Sequence, residues 1–136
     1  MTIAEIFKNA RTITVVGFSD NRSRASNRIS RFLVSNGYEV YGVNPDLSGK
    51  SIDGIRIYGS VKNIPVKIDI INIFRRSEFL YDLIKEILLL KEKPAVIWTQ
   101  IGVIDSRAGD LSLKQGIFYI ENKCIMTEYQ NLKLQT

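Results

Sequence analysis

The residues of this chain best suited to chemistry follow an apolar run that ends at Gly17. Residues 15–26 read Val-Val-Gly-Phe-Ser-Asp-Asn-Arg-Ser-Arg-Ala-Ser. This pattern predicts a strand, a polar loop and the start of a helix, which together aim backbone N–H groups at one point, as in phosphate sites. The alternative is an ordinary polar loop in which Ser26 caps the helix. The side chains that offer further donors to an anion are Ser19, Arg22, Arg24 and Ser26.

The same loop departs from the signature of dinucleotide-binding proteins. That signature has three glycines, whereas here only Gly17 is present and Phe18 follows it. An acidic residue is expected just after the second strand, but Asn44 and Pro45 stand there, and Asp46 lies beyond the proline. Both departures disfavour NAD as the ligand.

Two adjacent arginines, Arg75 and Arg76, stand at a second junction between a predicted strand and a predicted helix. Neighbouring residues project to different sides, so we expect one arginine to pair with Glu78 or the helix face. The other is then free to contact a phosphate with its guanidinium fork. The alternative is an exposed pair with no ligand.

A third junction contains Trp98, Gln100 and Gly102. Gln100 places a polar side chain at the end of a strand, and Gly102 would let a backbone approach a ligand closely. The alternative is a plain turn, with Trp98 in the core.

Histidine and cysteine usage narrows the chemistry further. The chain has no histidine and one cysteine, Cys124, so pairs of histidine with serine or cysteine, and a structural zinc site, are not expected. A single cysteine cannot form an internal disulfide, which predicts a reducing, cytoplasmic setting. Cys124 is either a small buried hydrophobe or a thiol that faces the same crevice.

Composition is that of a globular domain, with 45% hydrophobic and 24% charged residues and a net charge of +5. The basic residues are scattered, with clusters only at Arg22, Arg24, Arg28 and Arg31 and at Arg75 and Arg76. They are not interleaved with aromatic residues, which disfavours nucleic acid as a partner. The longest wholly aliphatic run, Ile87 to Leu90, is far too short to span a membrane, and the first residues lack the features of a signal peptide.

Hydrophobic periodicity predicts alternating strands and helices, and therefore a single α/β domain over residues 1–136. We expect a Rossmann-like three-layer α/β/α fold with a five-stranded parallel sheet in the order 3-2-1-4-5. The ligand would bind where the order reverses, between the first and fourth strands. The predicted strands are residues 12–16, 39–43, 68–74, 95–99 and 117–120; the predicted helices are 2–9, 26–36, 77–91 and 105–115, with a short helix or ordered tail over 122–136.

Taken together, these segments resemble the stand-alone CoA-binding domain family, which is related to the nucleotide-binding domain of the succinyl-CoA synthetase α subunit. The resemblance spans residues 3–129. No single motif is sufficient for the resemblance, which depends on the order of all the matching segments along the chain. The matching segments are residues 15–19, 24–26, 37–45, 74–78, 98–103 and 122–125.

The resemblance implies a coenzyme A site. Gly17, Phe18 and Ser19 would lie at the pyrophosphate, and Arg24 and Ser26 would reach phosphate oxygens. The other implied residues are Asn44 and Pro45 beside the adenosine, Phe74 and Arg75 over the adenine and its ribose phosphate with Arg76 as the neighbouring candidate, and Trp98, Gln100 and Gly102 along the pantetheine path. If Cys124 faces the same crevice, it would meet the thiol of the ligand.

A synthetase-type reaction requires a phosphorylatable histidine, which this chain lacks. We therefore expect a non-catalytic protein that binds CoA or an acyl-CoA as a sensor, carrier or accessory subunit. A protein partner or a homo-oligomer is left open. The alternatives are an NAD(P)-binding oxidoreductase-type domain and an interaction module whose crevice is vestigial.

Overall fold

The computed structural model describes residues 1–134. Seven strands form one sheet in the order β3-β4-β2-β1-β5-β6-β7, and every neighbouring pair is parallel except the β3–β4 hairpin. The strands are β1 (Thr12–Val16), β2 (Glu39–Val43), β3 (Ser51–Ile52), β4 (Ile55–Tyr58), β5 (Ile70–Ile73), β6 (Val96–Thr99) and β7 (Phe118–Ile120).

Helices cover both faces of the sheet, so the class and the three layers are as predicted. The helices are α1 (Ile3–Asn9), α2 (Ala25–Ser35), α3 (Leu80–Ile87), α4 (Ser106–Lys114) and α5 (Ile125–Leu134). Buried residues of α1, α2 and α5 belong to one core cluster and those of α3 and α4 to the other. The central strand β5 is buried at every position, as expected of a parallel strand that is covered on both faces.

The strand count and the place of one strand differ from the prediction. The strand near residues 68–74 does not lie outside the second strand; as β5 it pairs directly with β1, with Ile13 beside Ile70. The outer position next to β2 is filled by β4, in a segment that appeared irregular from its glycines. The connection from β2 to β4 contains a 3₁₀ turn (Pro45–Leu47) and β3 rather than an α-helix, so it lacks the helical periodicity on which the prediction relied.

The start and the end of one helix also differ from prediction. The predicted helix over 77–91 begins as a 3₁₀ turn (Ser77–Phe79), and α3 proper ends at Ile87. Ser77 does not cap it; its hydroxyl donates to Gly102 O at 3.1 Å and accepts from Ile104 N at 2.8 Å. The last two residues of the predicted tail, 135–136, lie outside the described residues.

The order of strands reverses between β1 and β5, whose connections leave the sheet in opposite directions. A crevice is expected at the carboxyl ends of these two strands. The loops that follow Val16 and Ile73 therefore border the candidate site.

Candidate ligand-binding site

Gly17 turns the chain sharply at the end of β1. Its φ is +89°, and a β-carbon there would lie 3.1 Å from the carbonyl carbon and oxygen of Phe74. The N–H groups of Gly17 and Phe18 both donate to Val43 O, at 3.0 and 3.2 Å. Glycine is required because a side chain is disfavoured at this φ and would also meet the β5 loop. The turn brings the ends of β1, β2 and β5 together.

The two serines of the predicted phosphate loop contact each other. Ser19 N donates to Ser26 Oγ at 3.1 Å, and Ser19 Oγ accepts from Asn21 N at 3.1 Å. The Ser26 hydroxyl thus accepts from the loop and retains its own hydrogen for another acceptor. Phe18 is fully buried, and its side chain packs where a β-carbon on Gly42 would stand. The Phe18 side chain therefore anchors the loop and does not face the crevice.

Helix α2 begins without a side-chain cap. Its N-cap residue is Arg24, not Ser26, and the Arg24 side chain makes no capping hydrogen bond. Within residues 1–134, the exposed Arg24 guanidinium has no hydrogen bond or ion pair with the protein. An uncapped helix N-terminus beside an unpaired cation is a favourable site for an anion.

The other arginines of this basic cluster are engaged within the protein. Arg22 Nη1 contacts Asp53 Oδ1 at 2.7 Å. Arg28 Nη1 donates to Ser23 O at 2.9 Å, and Arg31 Nη2 donates to Arg22 O at 2.8 Å. The residues of the loop favour Arg22 and Arg24 alike as donors to an anion, and the ion pair with Asp53 sets Arg22 apart.

Two clefts meet at Gly17. The first, of about 360 Å³, lies on the β2 side and is here named the β2-side cleft. The second, of about 320 Å³, lies at the start of α2 and is named the α2-side cleft. The β2-side cleft is lined by Val16, Gly17, Val43, Asn44, Pro45, Asp46, Gly59, Ser60, Val61, Arg75, Leu83 and Glu86, and the α2-side cleft by Gly17, Ser19, Arg24, Ala25, Ser26 and Phe74.

Asn44 and Pro45 both line the β2-side cleft. Asn44 Nδ2 donates to Phe18 O at 2.8 Å, and Asn44 Oδ1 accepts from Asp46 N at 2.9 Å. Asn44 therefore ties the loop after β1 to the loop after β2. Asp46, which the sequence placed beyond the expected position of an acid, also lines this cleft.

The two adjacent arginines divide as the sequence predicted. Arg76 Nε lies 3.2 Å from Glu78 Oε1. Arg75 lines the β2-side cleft, with its guanidinium carbon 4.6 Å from the centre of the Phe79 ring. Its Cγ lies 3.4 Å from the position of a β-carbon on Gly17. Arg75 is thus the arginine directed to the crevice.

Trp98 is fully buried. Its indole Nε1 donates to Lys123 O at 2.9 Å, and its ring centre lies 5.6 Å from that of Phe7. The structure does not bring the Trp98 side chain to either cleft. It packs behind the site and holds the segment that precedes α5.

Gln100 and Gly102 lie on the loop after β6. Gln100 is half-buried, and its buried Oε1 has no hydrogen-bond partner within the described residues. Gly102 is exposed with a φ of +89°, and its N–H donates to Asn122 Oδ1 at 2.7 Å. This loop is ordered by its neighbours and lies two strands from Gly17, a spacing of about 10 Å.

Cys124 precedes α5 and is 9% exposed. Its burial raises the pKa of the thiol, but hydrogen bonds from Thr127, Gln100 and the Met126 N–H outweigh that effect and lower the pKa overall. Cys124 and Gln100 are therefore neighbours at the far end of the candidate site.

Of the fourteen predicted residues, eight line the two clefts: Gly17, Ser19, Arg24, Ser26, Asn44, Pro45, Phe74 and Arg75. Gln100 and Gly102 lie on the loop after β6, Phe18 and Trp98 in the core, Arg76 on the surface and Cys124 beside Gln100. Sequence reasoning missed Asn27, whose side chain holds the first loop. Its spacing of four residues from Arg31 was the available signal. Among residues 1–134, no group of acids and cysteine could hold a metal ion, and no helix is long and apolar enough to cross a membrane.

Known proteins are similar to this chain in sequence and in fold. The chain is 35% identical over 123 residues to an uncharacterized protein, YneT, of Bacillus subtilis, covering 90% of this chain and 88% of that protein. Cell-free ID.343 from Thermus thermophilus has a TM-score of 0.90 and 29% identity, covering 97% and 99% of the two chains. A hypothetical protein from Pyrococcus horikoshii has a TM-score of 0.88 and 28% identity, covering 96% and 89%.

The segments on which the resemblance rests lie largely within a region of the chain that matches a known family. The match to the family runs from residue 11 to residue 130 and includes every residue of the two clefts. This chain belongs to the CoA binding domain family.

Proposed function

We propose that this protein binds coenzyme A or an acyl-CoA across the two clefts that meet at Gly17, without catalysing a reaction itself. The observation that carries the proposal is the convergence of three anion-binding features there. Arg24 and the uncapped start of α2 border the α2-side cleft, and Arg75 borders the β2-side cleft. A ligand with phosphates at two separated positions suits this arrangement, and CoA has a pyrophosphate and a 3′-phosphate.

Electrostatics support the same ligand. The net charge of +5 favours encounter with a polyanion. Each charge-assisted contact to a phosphate contributes about 1.5–3 kcal/mol. We assign the pyrophosphate to the α2-side cleft, and the adenosine with its 3′-phosphate to the β2-side cleft beside Arg75.

The role proposed is that of a CoA sensor, carrier or accessory subunit. The chain contains no histidine, so it cannot itself carry the phosphohistidine of a synthetase-type reaction. A protein partner or a second copy of the chain would supply any chemistry. The cytoplasmic location rests on cysteine usage and stays a prediction.

Isothermal titration with CoA, 3′-dephospho-CoA and NADH tests the proposal. We expect CoA to bind, and 3′-dephospho-CoA to bind more weakly because it offers Arg75 no phosphate. NADH is included because Asp46 lines the β2-side cleft, where an acid could accept from ribose hydroxyls. Binding of NADH with no response to CoA would make the oxidoreductase-type domain the better assignment, and no response to any ligand would reject the site.

A further inference from the structure

Three side chains on the first two turns of α2 bind backbone carbonyls of the loop before it. Asn27 Nδ2 donates to Ser19 O at 2.8 Å, and Arg31 Nη2 donates to Arg22 O at 2.8 Å. Arg28 Nη1 donates to Ser23 O at 2.9 Å. The loop of residues 19–24, here named the anion loop, is thus held by the helix whose N-terminus it precedes.

Asn27 and Arg31 act together in this arrangement. They lie four residues apart, on one face of α2, and Arg31 Nε donates to Asn27 Oδ1 at 2.8 Å. Asn27 is fully buried, so its amide has exchanged water for these two partners. Arg31 uses two nitrogen atoms of its guanidinium group at once, Nε for Asn27 Oδ1 and Nη2 for Arg22 O. Lysine cannot reproduce this fork.

The network continues to the edge of the sheet. Arg22, whose carbonyl Arg31 holds, reaches Asp53 in the β3–β4 turn at 2.7 Å. That ion pair is largely exposed, with the Arg22 side chain 61% exposed, so we assign it little energy by itself. The better shielded part of the network is the pair of Asn27, which is fully buried, and Arg31, which is half-buried.

This pair has two consequences for an anion at the start of α2. Carbonyl oxygens carry partial negative charge, and those of Ser19 and Arg22 are bound to side chains of α2 instead of being free to turn toward a phosphate. The loop is also ordered before the ligand arrives, which reduces the entropy lost on binding. The guanidinium of Arg24, the last residue of the anion loop, has no partner within residues 1–134.

We infer that Asn27 and Arg31 are positioning residues of the anion site, which hold the anion loop so that Arg24, Ser26 and the N-terminus of α2 meet a phosphate. Neither side chain contacts the ligand. The inference rests on the proposed function for the identity of the ligand, but its physical content is the binding of a phosphate-containing anion.

The test uses the whole chain with Asn27→Ala and Arg31→Lys. The matched control is Arg11→Lys, because Arg11 directly precedes β1 and thus lies at the end of the strand opposite to the candidate site. Asn27→Ala changes no charge, and Arg31→Lys keeps the charge but removes the fork. Titrations with CoA and with inorganic pyrophosphate give affinities, hydrogen exchange of residues 19–24 without ligand gives loop order, and urea unfolding gives stability.

We expect both variants to bind CoA and pyrophosphate about tenfold more weakly, which corresponds to about 1.4 kcal/mol. Amides of the anion loop should exchange faster before ligand is added, while Arg31→Lys unfolds at the urea concentration of the control. Affinity that falls only in proportion to stability would indicate a merely structural role and overturn the inference.

The outcomes separate this inference from the proposed function. If the wild type binds pyrophosphate but not CoA, and Arg31→Lys weakens pyrophosphate binding, the CoA assignment fails and the positioning role stands. If loop exchange is unchanged in Arg31→Lys, or affinity is unchanged while exchange is faster, the positioning role is overturned. Wild-type protein that binds neither ligand overturns both.

Discussion

The carbonyl of Phe74 lies against Gly17, with 3.1 Å between its carbon and the position that a β-carbon on Gly17 would occupy. The contact joins the ends of β1 and β5, the two strands between which the sheet order reverses. Phe74 N also donates to Val16 O at 2.8 Å. The crevice of the candidate site therefore begins at the point where the backbones that follow β1 and β5 are in contact.

Gly17→Ala should both destabilise the fold and weaken ligand binding. The φ of +89° and the contact with Phe74 act together, so we expect a loss of about 1–3 kcal/mol in the free energy of unfolding, measured in urea. Gly54→Ala is the control, since Gly54 has a φ of +79° but no atom within 4 Å of its β-carbon position. A loss no larger at Gly17 than at Gly54 would show that the approach of Phe74 is unimportant.

Arg75→Ala should weaken CoA binding by about ten- to a hundredfold, because one charge-assisted contact is lost from the β2-side cleft. Arg76→Ala removes the same charge from a side chain that pairs with Glu78, and should have little effect. Titration of both variants with CoA and 3′-dephospho-CoA locates the contact. If Arg75 binds the 3′-phosphate, its removal leaves the affinity for 3′-dephospho-CoA nearly unchanged; an equal loss for both ligands would assign Arg75 to another part of CoA.

Cys124 should react with iodoacetamide at lower pH than an ordinary cysteine. Burial raises the pKa of the thiol, but the hydrogen bonds from Thr127, Gln100 and Met126 N–H lower it further than burial raises it. The thiolate fraction, and hence the alkylation rate, should therefore rise at a lower pH than it does for a cysteine in a model peptide. Thr127→Val should move this rise to higher pH. A profile that is identical in both proteins would contradict the role of Thr127.

If Cys124 lies close to the thiol of bound CoA, as proposed, a second prediction about this residue follows. Treatment of the native protein with CoA disulfide should give a mixed disulfide, as the Cys124 thiolate attacks one sulfur and a CoA thiolate leaves. Intact-mass spectrometry detects the adduct, and Cys124→Ser is the control. Labelling of Cys124 only after denaturation would show that the thiol is a buried hydrophobe.

Tyr38→Phe should reduce the alkaline sensitivity of the protein. Burial, with a smaller effect from Tyr129, raises the pKa of Tyr38 to about 12, and its hydroxyl donates to Phe7 O at 2.7 Å. The unfolded chain ionises at its ordinary pKa near 10, so this stabilisation is complete below that pH and is lost as pH rises toward 12. Urea unfolding at pH 7 and pH 11 measures it. We expect the variant to lose about 0.5–1.5 kcal/mol at pH 7 and to show a smaller further loss at pH 11.

The local sequence pattern predicted the strands and helices that have a clear apolar run or a capping motif of their own. The β-branched run before Gly17 and the apolar run around Ile70 became central strands because each is buried on both faces. The capping box of Thr2 and Glu5 starts α1, with Glu5 N donating to Thr2 Oγ1 at 3.1 Å. In these cases the residues that decide the structure are close together in the chain.

The sequence by itself thus determined the α/β class, the polar loop after Gly17 and the crevice edge. It did not determine that β5, rather than β6, lies beside β1, because strand order depends on which surfaces pack together and not on periodicity within a strand. Nor did the pattern of residues separate Arg24 from Arg22, since both are arginines of the same polar loop. Only the tertiary structure decides that Arg31 meets Arg22 O and Asn27, because hydrogen bonds depend on where the fold places donor and acceptor.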